Sequence, residues 1–267
     1  HSNRDELIDL ETWENGKPRV QSARDVINAE RTFRFYAAAA DKFYGQALVD
    51  TRDEVRKTVF EPYGVVAAVI PWNWPPMHTA DFGALALATG NTVVMKPAPE
   101  TPLSSLRIAE LTTEILPPGV FNVVTGGADP GADLVRHADV DFITFTGSSM
   151  TGSKILAAAA ERIVPTMMEL GGKNASLVFA DSNLEKAVSG MLESAFSNSG
   201  QACSGTERIL VQREVYQPFL DGFCAAVEKM TVGNGFDADS EVGPIISRRQ
   251  QVRISGDIER AIDNLVL

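Results

Sequence analysis

Cysteine is scarce. The 267 residues hold two, Cys203 and Cys224, with no CxxC pair and no metal-ligand spacing. That argues against a disulfide framework and fits a reducing cytosol. Histidine is nearly as rare. His1, His78 and His137 lie far apart and offer no metal motif, so no bound metal is expected and His78 and His137 read as surface or core residues. Basic charge is in deficit, with 24 Lys and Arg against 35 Asp and Glu and a net charge of −11. An acidic chain with dispersed cations has no electrostatic footprint for nucleic acid or anionic lipid, so neither is an expected partner. Long apolar runs are absent as well. The most apolar stretch, Val65 to Trp74, is strand-length and broken by proline, so no membrane span is expected. The start, His1-Ser2-Asn3-Arg4-Asp5, has no signal-peptide pattern, and a cytoplasmic location is the expectation. No initiator Met is present, and repeats and low-complexity segments are missing.

What is present is alternation. Ser22 to Tyr44 carries apolar residues at near-helical spacing and predicts a long helix ended by Gly45. Residues 46–60 mix charges with β-branched residues, which suits a protruding ribbon or a loop. From Gly64 onward short apolar runs alternate with helical stretches. Strands are predicted at Val65–Ile70, Thr92–Met95, Val120–Val124 and Phe142–Phe145. Helices are predicted at Ala80–Ala88, at Thr101–Leu116 with Thr101 as N-cap, at Pro130–Ala138 and at Gly152–Glu161. Fully apolar strands between helices imply a parallel sheet covered on both faces. The expected fold class is α/β, a doubly wound cofactor-binding domain over residues 1–170 followed by a second, incomplete α/β domain over 171–267. In the latter, strands are predicted at Asn174–Phe179 and Arg208–Val211. Helices are predicted from Asp181-Ser182-Asn183 to about Ser197, with Glu185 near a capping-box position, and over Val215–Met230.

Ligands of such sheets bind beyond the carboxyl ends of the strands, and the distinctive residues fall there. Asn73 sits between Trp72 and Trp74 before two prolines, a rigid way to aim an amide N–H at a developing oxyanion; a turn asparagine is the plainer account. Lys96, held by Pro97, ends the second strand and is within reach of a ribose or phosphate, although a solvated lysine explains it equally. Gly126-Gly127 with Gly131 follows the third strand. Gly147-Ser148-Ser149-Met150-Thr151-Gly152 follows the fourth and places amides at a helix N-terminus, where phosphate is attracted. Neither glycine cluster is a P-loop or GxGxxG, and a tight turn explains either. Two further residues suit covalent catalysis, in which an acyl group is loaded onto sulfur and then removed by water. Cys203 lies in the small, polar run Asn198-Ser199-Gly200-Gln201-Ala202, unlike a packed core. Glu169, flanked by Met167, Met168 and Leu170, has the apolar setting that suits a general base; a salt-bridge role is the alternative. Cys224, on an apolar helix, reads as structural.

Taken together, Pro71-Trp72-Asn73-Trp74-Pro75, Lys96-Pro97-Ala98, Phe145-Thr146-Gly147-Ser148 with Gly152, Glu169-Leu170-Gly171-Gly172-Lys173 and Gly200-Gln201-Ala202-Cys203 resemble the NAD(P)-dependent aldehyde dehydrogenase superfamily. Glu11-Thr12, Asn15-Gly16-Lys17-Pro18 and Val242-Gly243-Pro244 fit too, and the likeness covers nearly the whole chain. The resemblance implies that Cys203 attacks an aldehyde and that Asn73 and the Cys203 amide hold the oxyanion. It implies that hydride leaves to a nicotinamide and that Glu169 activates the water that hydrolyses the thioester. It also assigns NAD or NADP to a groove made by Ile70, Pro71, Trp72, Lys96, Pro97, Gly127, Gly131, Phe145, Thr146, Gly147, Ser148, Gly152, Leu170 and Gly171. A homodimer or homotetramer is implied for the full-length protein. Pro99 stands where many members carry a ribose-binding Glu, with Glu100 one residue later, so NAD and NADP both stay open. Members are nearly twice as long, so the chain reads as partial. A CoA-acylating enzyme and an inactive nucleotide-binding fragment are the alternatives; Glu169 argues against the first.

Overall fold

The computed structural model describes residues 2–49 and 54–264. By internal contacts the chain forms two units, His1–Leu7 with Asp25–Leu170, and Ile8–Arg24 with Gly171–Leu267. The break after Leu170 lies where the composition changes. Residues 8–24, which the sequence places with the first unit, count with the second instead. Arg19 N donates to Gly235 O at 2.9 Å and Gln21 Nε2 to Glu241 O at 3.2 Å, so this stretch is tied to late chain.

Helix α1 (Arg4–Asn15) had no clear apolar period and is absent from the sequence prediction; α2 (Arg19–Ala39) starts three residues before the predicted helix and ends five short of it. In the first unit Glu30 accepts from Arg4 Nη2 at 2.5 Å and from Arg34 at 2.8 Å. The hydrogen bond from Arg4, and then that from Arg34, pull the Glu30 carboxyl down from 4.5 to about 2. A depressed carboxylate contributes stability that is full above its unfolded pKa and lost as pH falls through the folded one. Glu30→Gln is therefore expected to flatten the acid limb of the thermal-stability curve between about pH 4.5 and 2 while leaving the neutral region nearly unchanged. An unaltered acid limb in scanning calorimetry would contradict this.

Strands β1 (Ala47–Val49) and β2 (Val55–Lys57) pair antiparallel, Leu48 opposite Arg56, where the sequence leaves a ribbon or a loop open; residues 50–53 lie outside the described residues. The core of this unit is a parallel sheet. Its elements are β3 (Val65–Val69), α3 (Pro75–Ala88), β4 (Thr92–Lys96), α4 (Leu103–Thr112), β5 (Phe121–Val123), α5 (Ala128–Arg136), β6 (Phe142–Thr146), α6 (Ser149–Ala160) and β7 (Thr166–Glu169). Strand order is β5-β4-β3-β6-β7, with every neighbouring pair parallel. Side chains alternate across the sheet. Ala67, Ile143 and Phe145 pack one face against Val135 of α5 and Ile155, Ala158 and Ala159 of α6. Val66, Ala68, Ile70, Val93 and Met95 pack the other against Phe82 and Ala86 of α3. With both faces covered, the strands are apolar throughout, as predicted for a doubly wound sheet.

Two details differ from the sequence prediction. Helix α3 starts at Pro75, earlier than Ala80, because two prolines supply the preset φ of a first turn. Thr101 does not cap α4. The helix begins at Leu103 behind Pro102, and the buried Thr101 hydroxyl has no hydrogen-bond partner among the described residues. It lies one position too far from the first free amides.

The second unit holds β8 (Asn174–Val178), α7 (Leu184–Phe196), β9 (Thr206–Val211), α8 (Tyr216–Val227) and α9 (Arg248–Asp263). Asn183 caps α7 by accepting from Lys186 N at 3.0 Å. The third helical residue is thus Lys186, and Glu185 forms no capping box. Strands β8 and β9 are parallel, with an irregularity after Asn174. Phe196 on α7 and Phe219 and Phe223 on α8 stack into one aromatic cluster. Helix α9 was not predicted. Residues 265–267 lie outside the described residues. No helix among the described residues is long and apolar enough to cross a membrane.

Candidate active site

Parallel strands put all their carboxyl ends on one side. Along that edge the first unit aligns Gly127 after β5, Lys96 at the end of β4, the Ile70–Trp74 turn after β3, Gly147 and Ser148 after β6, and Glu169 at the end of β7. The chain winds one way from β3 to β4 and β5 and the other way to β6 and β7. The topological switch point is therefore between β3 and β6, where a crevice for a ligand opens in such sheets. The turns carrying Pro71, Trp72 and Asn73 on one side and Gly147 and Ser148 on the other flank it.

Each position is locally determined. Ile70 is buried, and its N–H donates to Lys96 O at 3.1 Å, extending the β3–β4 pairing by one bond. Asn73 is buried behind Trp74, whose φ of −140° places it as the cap residue ahead of Pro75. Lys96 is not solvated, as the plain account of its position had it. It is buried, donates to Pro97 O at 3.0 Å, and lies against Gly131, where a Cβ would come within 3.1 Å of its Cδ. Burial holds the Lys96 ammonium below the usual lysine range, and the charge of Glu100 works against that shift. Pro97 is buried too, while Gly127 is the N-cap residue of α5. Phe145 and Thr146 are buried, and the Phe145 ring occupies the space a Cβ on Gly147 would need, at 2.5 Å. Ser148 caps α6 by accepting from Thr151 N at 3.2 Å. Gly152 lets Leu170 lie against the helix, since a Cβ there would stand 2.7 Å from Leu170 Cδ2.

Glu169 ends a strand that the sequence prediction missed. Gly147 N donates to Glu169 O at 3.0 Å, which ties the β6 and β7 ends together. Its side chain is exposed, so the apolar setting expected from Met167, Met168 and Leu170 is not found. Position in the strand explains this: Met168 and Met167 turn into opposite cores, and Glu169, which alternation puts on the Met167 face, is the last residue of the strand, where it is exposed.

In the second unit Gly171 and Cys203 are exposed. The thiol follows an unusual turn. Asn198, Ser199 and Gly200 all have left-handed φ, at 50°, 59° and 74°. Non-glycine residues held there cost about 1–2 kcal/mol each and mark over-determined, often functional, backbone. The brace is visible. Buried Asn198 donates its N–H to Gln21 Oε1 at 2.9 Å, and Ser199 Oγ donates to Gly243 O at 2.8 Å. Gln201 Nε2 donates to Asn198 O at 2.9 Å, and Gln201 Oε1 accepts from Ile246 N at 2.9 Å. On the far side Asn174 Nδ2 donates to Cys203 O at 2.5 Å and to Gly205 O at 3.1 Å. Gln21 and Asn174 were not singled out in the sequence; the Asn-Ser-Gly tripeptide was the one readable sign, because these residues tolerate left-handed turns. Cys224 is exposed on α8 and is not a core residue.

The chain matches the aldehyde dehydrogenase family over residues 1–266 and belongs to it. It is 38% identical over 262 residues to betaine aldehyde dehydrogenase of Bacillus subtilis, covering 97% of this chain and 54% of that protein. The NAD+ complex of an aldehyde dehydrogenase from Bacillus cereus superposes with a TM-score of 0.96 at 38% identity, over 98% of this chain and 54% of that one. An NADP-dependent enzyme of E. coli does so with a TM-score of 0.95 at 34% identity, over 98% and 55%. The chain spans about half the length of the curated relatives it matches.

Proposed function

We propose that the protein containing this chain oxidises an aldehyde to a carboxylic acid with NAD or NADP. Cys203 is the nucleophile: its thiolate sulfur bonds to the carbonyl carbon, and the pair of electrons leaving the C=O bond makes an oxyanion. The Asn73 amide and the Cys203 backbone N–H donate to that oxygen. The chemistry a bound nicotinamide supplies is acceptance of the hydride from the same carbon. The carbon on sulfur is then a thioester. Glu169 takes a proton from water, the resulting hydroxide attacks the thioester, and the acid leaves while the thiolate is restored.

The observation that carries this assignment is the exposed Cys203, three residues past a run of three left-handed residues held by the side chains of Gln21, Ser199 and Gln201. A structural cysteine has no need of such a turn. The fit to a dinucleotide comes from the crest of the first unit. Lys96 is fixed with its stem on Gly131, and Ser148 opens a helix beside the switch point. Ile70, Pro71, Trp72 and Pro97 would line the adenosine side, and Gly127, Phe145, Thr146, Gly147, Gly152, Leu170 and Gly171 the rest. Assembly as a homodimer or homotetramer is part of the same proposal for the full-length protein, and family membership supports it.

Glu169→Gln tests the base. The variant is expected to release one burst of reduced cofactor and then stall, with steady-state turnover down by about 10² or more. Normal steady-state turnover would remove Glu169 from this role. Product formation that depends on coenzyme A would replace the hydrolytic reaction with acyl transfer.

A further inference from the structure

We infer that Gln21, which no step of the proposed reaction uses, is a positioning residue for the Cys203 loop; the inference rests on the assignment of Cys203 as nucleophile. The left-handed turn cannot satisfy its own first amide. In a right-handed helix the Asn198 N–H would continue the ladder of α7, but the ψ of 133° at Ser197, the residue that ends α7, turns that N–H out of the ladder. Asn198 is buried, so an unmet donor here would cost about 1–3 kcal/mol. Gln21 Oε1 accepts from it at 2.9 Å.

Gln21 is itself held. It lies in the first turn of α2, half-buried, and its Nε2 donates to Glu241 O at 3.2 Å. Glu241 opens the segment whose Gly243 carbonyl accepts from Ser199 Oγ and whose Ile246 N–H donates to Gln201 Oε1. One amide side chain thus joins both ends of a short circuit: the start of the turn, and the segment that grips its middle and end. With only two rotatable bonds beyond its Cβ, and both polar ends engaged, Gln21 fixes where the turn begins. The position of the turn in turn fixes Cys203, four residues beyond Ser199.

The test uses the two thiols of the chain against each other. Cys203 and Cys224 are both exposed, and Cys224 lies on α8, away from any bond of the circuit. Alkylation of each by iodoacetamide is followed by mass spectrometry in the native protein. Gln21→Met keeps size and helix propensity but has no strong acceptor. It is expected to slow Cys203 alkylation by about fivefold, roughly 1 kcal/mol, with the Cys224 rate unchanged. Gln21→Glu keeps the acceptor for the Asn198 N–H but loses the donor to Glu241 O, and is expected to bring the Cys203 rate part of the way back, to between the acceptor-free variants and the parent. Gln21→Ala serves as a second acceptor-free variant should the methionine form fail to fold. General loosening would move both thiols together. A Cys203 to Cys224 rate ratio that is unchanged or raised in the acceptor-free variants, or one that Gln21→Glu fails to lift above theirs, overturns the inference. Turnover does not enter this readout, so loss of the nucleophile assignment, read from Cys203→Ala, would leave the alkylation result standing.

Discussion

Cys203→Ala is expected to lower aldehyde oxidation to below about a thousandth of the parent rate, a loss of about 4 kcal/mol or more of transition-state stabilisation. Without sulfur no covalent adduct forms, and neither hydride loss nor thioester hydrolysis has a starting point. The substitution removes one exposed atom from a loop whose hydrogen bonds run through Asn198, Ser199, Gln201 and the Cys203 carbonyl, all of which it keeps. Thermal stability is therefore expected to change by less than about 0.5 kcal/mol. Cofactor binding, read by titration of intrinsic fluorescence, should persist, because every residue proposed for the dinucleotide except Gly171 belongs to the other unit. A Cys203→Ala protein that still oxidises aldehydes at a comparable rate would end the covalent mechanism.

Lys17→Met carries the largest expected cost in stability. Lys17 Nζ donates to Glu11 Oε1 at 2.8 Å, and both side chains are fully buried. Removing one member of such a pair leaves a charge without its counterpart in a low-dielectric interior, which costs about 3–5 kcal/mol. For a chain of this size that corresponds to a fall in Tm of roughly 10 °C. The loop carrying Lys17 is also tightly packed: a Cβ on Gly235 would lie 2.3 Å from Lys17 O, and one on Gly243 would lie 2.2 Å from Gly16 O. The effect is expected to spread to that segment. Adding Glu11→Leu to Lys17→Met should recover much of the loss, since it removes the stranded carboxylate. A single variant that unfolds within about 1 kcal/mol of the parent would show that the pair contributes no net stability.

The parallel sheet was legible because its strands are buried on both faces and so read as unbroken apolar runs. Strand β7 escaped because Thr166-Met167-Met168-Glu169 is short, sits at the sheet edge and ends in a charge. Helices α1 and α9 escaped for the opposite reason. Both are largely polar; the apolar residues of α1 set no clear period, and those of α9, though gathered on one face, are few among many charges. The chemistry-bearing residues were visible as types, but their settings were not. Lys96 proved buried because Gly131, thirty-five positions later, yields it space, and that is a tertiary fact. Glu169 proved exposed because it is the last residue of its strand, although its neighbours in sequence are apolar. Gln21 carried no signal at all, since its acceptor role depends on a turn 177 positions away.

The first unit is nearly continuous in sequence, whereas the second is built from residues 8–24 and everything after 170. During synthesis, then, the early piece of the second unit emerges long before the late segments it bonds to, at residues 198, 235 and 241, and it must stay uncommitted while the intervening sheet assembles. Bringing those distant stretches together closes a long loop, an entropic cost that falls late and favours slow completion of that half.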